Sequence, residues 1–244
     1  MGAAMCLRDT MKITSSQCDV WKNLVVSGVS GGALVAAALR YAPERLNEIA
    51  EFVSSTNKTL TGVLNAIEEG SIINAPGGLE VCVARTSDGG LVRLKDFVSF
   101  EALEDALNAA TFIPKDFHPF DLLLTKTSSY NSGYLFQNQY LYMDAGISGH
   151  FMPLDENTKI GITPFSVSRT NNNNNNINVV CPEEGSSKTN SLLSVTKSNI
   201  QINMSNIKRF HISMFGSSKK ILNTLVQNGY SDCAVSLKLV KTNT

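Results

Sequence analysis

The sequence lacks an excess of charge of either sign, and it lacks any long apolar run. Its 244 residues carry 21 basic and 21 acidic side chains, which gives a formal net charge of zero. A nucleic-acid-binding face normally depends on clustered Lys and Arg, so no nucleic acid is predicted as a partner. No run of about 18 apolar residues is present, so no transmembrane helix is predicted. Peripheral contact with a membrane or lipid surface needs no such helix.

The cysteines lack the spacing of metal-binding and redox motifs. None of them stands in a C-x-x-C pair, which argues against a zinc ribbon or a thioredoxin-like motif, and no metal or cofactor is predicted. An odd number of cysteines without a secretory signal is typical of reduced thiols in the cytoplasm. The five cysteines are Cys6, Cys18, Cys82, Cys181 and Cys233.

Strand and helix patterns alternate along the chain, which predicts an α/β fold with a largely parallel sheet. Residues 79–85 and 91–94 form a predicted hairpin around an Asp-Gly turn. A strand is predicted at 140–143, and a last helix at 217–228 that Gly229 would end. Residues 167–180 contain a run of asparagines and are predicted to be a disordered loop insertion. Nothing divides residues 1–244 into two domains.

The clearest chemical motif lies at residues 28–32, which read Gly-Val-Ser-Gly-Gly. An apolar strand is predicted before it, at 24–26, and a helix after it, at 33–40. This order matches the nucleophile elbow G-x-S-x-G, with Ser30 as the nucleophile. Side chains at Gly28 and Gly32 would collide with the crossing backbone of so tight a turn. The N–H of Gly31, at the start of the helix, can help hold an oxyanion. A purely structural turn is the alternative interpretation.

A serine nucleophile needs a base that takes its proton, and the sequence offers four candidates. His118, His150 and His211 have no distinctive surroundings, although Ser30, Asp144 and His211 stand in the chain order of an α/β-hydrolase triad. Asp144 ends an apolar strand and precedes two small residues, which would let another group approach closely. An Asp turn at the end of a strand is the alternative for Asp144.

Residues 28–32, followed by Asp144-Ala145-Gly146, resemble the signature of the patatin-like phospholipase family, G-x-S-x-G and then D-G-G or D-G-A. Asp144 and Gly146 match the commoner D-G-G form, whereas Ala145 departs from it. More of the chain is similar to the acylglycerol lipase branch of that family. These matches are the hairpin at 79–94, AATFIP at 109–114, ITPFS at 162–166, Cys181-Pro182, and GYSD at 229–232.

The resemblance implies a three-layer α/β/α domain with a mostly parallel central sheet. It implies a Ser-Asp dyad without histidine: Ser30 attacks an ester carbonyl, Asp144 accepts the proton, and water hydrolyses the acyl-enzyme. Gly28, Gly31, Gly32 and Gly146 complete the motifs and the oxyanion site. The expected function is a lipid acyl hydrolase of the triacylglycerol lipase or phospholipase type. The expected location is the cytoplasm or the surface of lipid droplets or membranes.

Members of this family have a first strand and a glycine-rich loop ahead of the elbow. Residues 2–9 resemble the helix that follows that loop, so the strand and most oxyanion donors are expected to be missing. This expectation keeps a second hypothesis open, an impaired pseudoenzyme of the same fold that binds a lipid surface or a partner. A Ser-His-Asp esterase is the third hypothesis.

Overall fold

The described part of the chain folds into helices packed on a mixed sheet. The computed structural model describes residues 1–12, 24–56, 58–67, 78–117, 129–137, 139–154, 160–165, 178–181, 192–194, 201–202 and 204–241. Its helices are α1 (Gly2–Met11), α2 (Gly31–Tyr41), α3 (Leu46–Thr56), α4 (Thr59–Leu64), α5 (Phe100–Ala110), α6 (Met204–Phe215) and α7 (Lys219–Lys241), with 3₁₀ turns at Pro43–Arg45 and Ala145–Ser148. Its strands are β1 (Val26–Val29), β2 (Leu79–Arg85), β3 (Leu91–Leu94), β4 (Tyr134–Phe136), β5 (Tyr140–Asp144), β6 (Ile160–Ile162), β7 (Asn178–Val180), β8 (Leu192–Ser194) and β9 (Gln201–Ile202).

The main sheet contains β1 to β5, and β2 is its centre. β2 pairs in parallel with β1 and antiparallel with β3 and β5, and β4 pairs antiparallel with β5. The prediction of a mostly parallel sheet is therefore wrong for the described strands. The reason is that β2–β3 and β4–β5 are joined by short turns, which can connect only antiparallel neighbours. A parallel pair, β6–β7, and an antiparallel pair, β8–β9, form two small further sheets.

The main hydrophobic core lies between one face of this sheet and the helices. Leu79, Val81 and Val83 alternate along β2, and all three are buried in the core with residues of α2, α3, α4 and α5. The apolar residues of α5 are buried, and Ser99 caps the helix by accepting a hydrogen bond from the N–H of Ala102. On the other face, the core cluster of described residues is small and comes from strand and loop residues. The mixed α/β architecture is confirmed, and the three-layer arrangement stays a prediction.

Gly229 was predicted to end the last helix, and this prediction is wrong. The helix continues to Lys241, because α1 packs against it at this point. A Cβ atom on Gly2 would collide with the backbone of α7 at Val226, so the two helices approach too closely for a side chain there. Ile221 and Leu225 of α7 are 40% and 36% exposed.

Two other boundaries differ from the sequence analysis. The strand expected at 24–26 is β1 at Val26–Val29, and Val25 is 61% exposed, because pairing with β2 begins only at Val26. The last three residues of the loop predicted at 167–180 form β7, whose pairing with β6 fixes them. Residues 166–177, Cys18 and His118 lie outside the described residues. Among the helices that the structure describes, none has the length and apolar character needed to cross a membrane.

Candidate active site

Ser30 lies at a sharp bend between β1 and α2. Its backbone has φ 55° and ψ −133°, a region in which glycine is usual and other residues are strained. β1 ends at Val29 and α2 begins at Gly31, so one residue makes the whole connection. A strained serine between a strand and a helix is the backbone geometry that a nucleophile elbow requires.

The two flanking glycines have different structural roles. A Cβ atom on Gly28 would collide with the backbone of Gly32 and Ala33. A Cβ atom on Gly31 or Gly32 would meet nothing within 4 Å, and both residues are exposed. The predicted steric need for glycine therefore holds for Gly28 and is wrong for Gly32, because the first turn of α2 crosses over β1 and leaves its own outer side open.

Gly28→Ala should therefore destabilise the fold, and Gly32→Ala should not. The added methyl group at position 28 forces β1 and α2 apart, which we expect to cost at least about 2 kcal/mol of unfolding free energy. At position 32 the same change replaces a helical glycine by a better helix former and should be neutral or stabilising by up to about 1 kcal/mol. Urea unfolding of both variants measures the difference. Equal unfolding free energies would contradict this account of the elbow.

The strand registers bring Ser30 and Asp144 to one point of the sheet. Val29, the last residue of β1, lies opposite Cys82, and Asp144, the last residue of β5, lies opposite Val83. β3 pairs with residues 81–84 of β2 and so occupies the other edge of this strand. β1 and β5 therefore share one edge of β2 and run toward each other. Their carboxyl ends meet at neighbouring positions, which places the residues that follow them side by side.

The side chain of Ser30 approaches the carboxylate of Asp144 closely enough to favour its ionised form. Asp144 is 7% exposed, whereas Ser30 is half-buried. Burial raises the pKa of Asp144 from its ordinary value to about 6, and the hydrogen bonds from Ser30 and from the backbone of Gly146 oppose this shift without cancelling it. A carboxylate that is harder to keep ionised is a stronger base, so its environment suits a proton acceptor for the serine.

The turn after Asp144 holds its carboxylate in place. The N–H of Gly146 donates to Asp144 Oδ1 at 2.8 Å, and the N–H of Asp144 itself donates to the carbonyl of Phe112 at 2.9 Å. A Cβ atom on Gly146 would lie 3.1 Å from Asp144 Oδ1, so a side chain would crowd this turn. Gly146 was grouped with the oxyanion site, but its N–H is directed to the carboxylate of Asp144.

The beginning of α2 offers N–H groups next to the nucleophile. Gly31 and Gly32 are its first two residues, and the first N–H groups of a helix have no carbonyl partner within that helix. The positive end of the helix dipole lies at the same place. The absence of side chains at both positions leaves the approach to Ser30 open. This end of α2 can therefore stabilise negative charge on an oxygen atom bound beside Ser30.

The described histidines lie in other surroundings. A ring nitrogen of His150, Nε2, lies 3.1 Å from the carbonyl oxygen of Gly89 in the β2–β3 turn. His211 is exposed on α6. The sequence analysis considered His150 only as a possible base and did not foresee its contact with the hairpin. No group of three or more metal-ligating side chains is found in the described part of the chain.

Comparison with known proteins supports the resemblance drawn from the motifs. The chain is 25% identical over 250 residues to patatin-like phospholipase domain-containing protein 2 of Rattus norvegicus, covering 95% of this chain and 46% of that protein. It is 26% identical, with the same coverage, to the proteins of that name in Mus musculus and Bos taurus. The chain thus spans about half the length of the curated relatives it matches. No family model and no solved structure matches it.

The similarity covers both motifs and nearly everything between and around them. The mixed α/β fold, with its central sheet and its helices, is consistent with a patatin-like domain. The resemblance predicted from residues 28–32 and 144–146 is therefore confirmed: the chain is similar over 95% of its length to proteins of the patatin-like phospholipase family.

Proposed function

We propose that this protein is a lipid acyl hydrolase that uses Ser30 as its nucleophile and Asp144 as its base. The observation that supports this proposal best is the strand register, which ends β1 and β5 side by side on β2 and so brings Ser30 next to the buried carboxylate of Asp144. A nucleophile beside its base, both held by rigid elements, is the arrangement that covalent catalysis requires. The similarity to patatin-like phospholipase domain-containing proteins supports an ester-linked lipid as the substrate.

The proposed reaction has two halves. In each half Asp144 first accepts one proton and then gives it back. Ser30 Oγ forms a bond with the carbonyl carbon of the ester while its proton passes to Asp144. The carbon–oxygen bond to the alcohol then breaks, and Asp144 returns the proton to the leaving alkoxide. In the second half, water attacks the acyl-enzyme and gives its proton to Asp144. The carbon–oxygen bond to Ser30 breaks, Oγ regains the proton, and the fatty acid leaves.

A pKa of about 6 suits both tasks of Asp144. Near neutral pH the carboxyl group is mostly ionised and can accept a proton. Because this pKa is higher than that of an ordinary Asp, transfer of the serine proton is less unfavourable. The developing oxyanion would be held by the N–H of Gly31 and by the N-terminus of α2, where Gly32 adds no side chain that could obstruct the substrate.

The contact between Ser30 and Asp144 favours a dyad over a triad. In a Ser-His-Asp triad the imidazole lies between the serine and the carboxylate and hydrogen-bonds to both. Here the Ser30 side chain itself acts on the carboxylate of Asp144, whereas the ring of His150 faces the carbonyl of Gly89 and His211 is exposed on α6. The dyad therefore accounts for the observed geometry without the rearrangement that a histidine base would require.

We propose fatty-acyl esters of glycerol as the substrate class, either triacylglycerols or phospholipids. The reaction would take place in the cytoplasm, at the surface of a lipid droplet or membrane that holds these lipids.

A fluorophosphonate probe should label this chain covalently at Ser30, and the Ser30→Ala variant should not be labelled. The probe reacts with a serine only if that serine is activated as a nucleophile, so it tests the dyad without prior choice of a lipid. Mass spectrometry identifies the labelled peptide. Hydrolysis of a dispersed triacylglycerol and of a phospholipid vesicle, compared in parallel, then separates the two substrate types. Labelling of another serine, or none at all, would support the pseudoenzyme or a different active site.

A further inference from the structure

The tip of the β2–β3 hairpin is unusually well fixed for a surface turn. The guanidinium of Arg85 donates two hydrogen bonds to the carboxylate of Asp88, at 3.0 and 2.7 Å. Asp88 Oδ1 also accepts from the N–H of Gly90 at 2.9 Å, and the N–H of Gly89 donates to the carbonyl of Arg85 at 2.9 Å. These bonds close the turn on itself. The direction of the Gly89 carbonyl is therefore set by the hairpin.

The turn that follows Asp144 lies against this hairpin tip. His150 Nε2 is 3.1 Å from the carbonyl oxygen of Gly89. A carbonyl can only accept, so Nε2 must carry the proton and donate it. A Cβ atom on Gly89 would lie 3.0 Å from Ser148 Oγ, so the two turns are in close contact at a second point.

Backbone hydrogen bonds within the same turn hold it next to Asp144. The backbone N–H of His150 donates to the carbonyl of Ala145 at 3.0 Å, and that of Gly149 donates to the carbonyl of Gly146 at 3.0 Å. Gly146 in turn donates to Asp144 Oδ1. The hairpin thus holds this segment at both ends, through the pairing of Val83 in β2 with Asp144 and through Gly89 at the hairpin tip with His150.

We propose that His150 is a positioning residue, whose Nε2–H···O bond to Gly89 fixes the turn at 145–150 and so keeps the Asp144 carboxylate buried and in contact with Ser30. His150 takes no proton from the substrate in this role, and it touches none of the reacting atoms. The inference rests on the proposed function only for its kinetic consequence. Its structural consequence, the protected environment of Asp144, exists with or without turnover.

The test compares His150→Leu with His150→Gln in hydrolysis of a short-chain p-nitrophenyl ester. Leu removes the donor, whereas the amide nitrogen of Gln can take the place of Nε2 and donate to the same carbonyl. We expect His150→Leu to lower kcat by about 10- to 100-fold with little change in KM, because a small displacement of a catalytic group costs rate more than binding. His150→Gln should keep kcat within about threefold of the original value. Equal losses in both variants, or no loss in either, would overturn the proposal.

A second readout does not depend on turnover. The pKa of the Asp144 carboxyl, followed by ¹³C NMR, should fall from about 6 toward its ordinary value in His150→Leu, because a loosened turn admits water and burial is the main cause of the shift. It should stay near 6 in His150→Gln. If the protein shows no Ser30-dependent hydrolysis, the proposed function fails, and this titration still decides the role of His150.

If His150→Leu does not fold, Gly89→Ala tests the same coupling between the hairpin and the carboxylate of Asp144. Its methyl group presses on Ser148 from the hairpin side, at a position whose φ of 65° already disfavours a side chain. It should lower kcat and the pKa of Asp144 in the same directions as His150→Leu. An unchanged pKa of Asp144 in a folded Gly89→Ala variant would contradict the proposed coupling between hairpin and carboxylate.

Discussion

Ser30→Ala and Ser30→Gly should both abolish ester hydrolysis, and the glycine variant should be the more stable of the two. Loss of the nucleophile removes covalent catalysis entirely, and we expect a decrease in kcat of at least about 10⁴-fold. Both variants lose the same hydroxyl group and its interaction with Asp144. They differ only in the Cβ atom at a position with φ 55° and ψ −133°. Alanine keeps the backbone strain at this bend, and glycine releases it.

The expected gain of Gly over Ala at this position is about 1–2 kcal/mol in the free energy of unfolding. A strained residue of this kind costs about 1–3 kcal/mol, and part of that gain is offset by the greater chain entropy of an unfolded glycine. Urea unfolding of the two variants, at one pH and in one buffer, gives the difference. If Ala were the more stable variant, the bend would not be strained. Residual hydrolysis in either variant would move the nucleophile to another residue.

The local features of this site were predictable from the sequence, because each depends on a few adjacent residues. A glycine turn between an apolar strand and a helix specifies the elbow. The hairpin 79–94 was predicted with its observed strand bounds from the Asp-Gly signal and the flanking apolar runs. Gly28 also has the predicted role, since its lack of a side chain lets α2 cross β1. The predicted bounds of β1 were wrong by two to three residues, because Leu24 and Val25 have the same apolar character as its strand residues.

Long-range features could not be read from the sequence in the same way. The meeting of Ser30 and Asp144 depends on β1 and β5 sharing one edge of β2, and no local pattern encodes which strands become neighbours. For this step the sequence analysis had only the family resemblance. The antiparallel pairing of β5 with β2 and the continuation of α7 past Gly229 were missed for the same reason. A glycine that ends an isolated helix becomes, in this fold, part of the surface against which α1 packs.

His150 was considered in the sequence analysis only as a candidate base, and the structure shows a different contact for it. Considered alone, a histidine six residues after Asp144, the proposed base, suggests a role in proton transfer. In the structure its ring nitrogen faces a backbone carbonyl, which cannot exchange a proton with it. The hairpin partner, Gly89, is 61 residues away in the sequence. Only the folded arrangement distinguishes a residue that moves protons from one that holds another residue in place.

Asp144→Asn should remove activity and at the same time stabilise the protein at neutral pH. The amide cannot act as a base, so kcat should fall by at least about 10³-fold. The carboxylate of the unmodified protein is buried, and burial raises its pKa to about 6 against an ordinary value of 3.8. Because the folded protein holds this proton more tightly than the unfolded chain, the contribution of Asp144 to stability is most favourable below about pH 4 and is lost as the pH rises through about 6.

The difference in stability between the two proteins should therefore depend on pH in a defined way. A shift of about two pKa units corresponds to about 3 kcal/mol, so the advantage of Asn over Asp should grow by roughly that amount between about pH 4 and pH 7 and then level off. Urea unfolding across this range measures it.

The kcat/KM of the unmodified protein should rise about tenfold per pH unit up to the same pKa and then become constant, since only ionised Asp144 accepts the serine proton. A pH-independent stability difference would mean that Asp144 is not desolvated. The acidic limb of the kcat/KM profile should be unchanged in His150→Gln and should shift in variants that loosen the turn after Asp144. This result would assign the limb to the carboxylate of Asp144 and not to an imidazole, which titrates in the same range in most proteins.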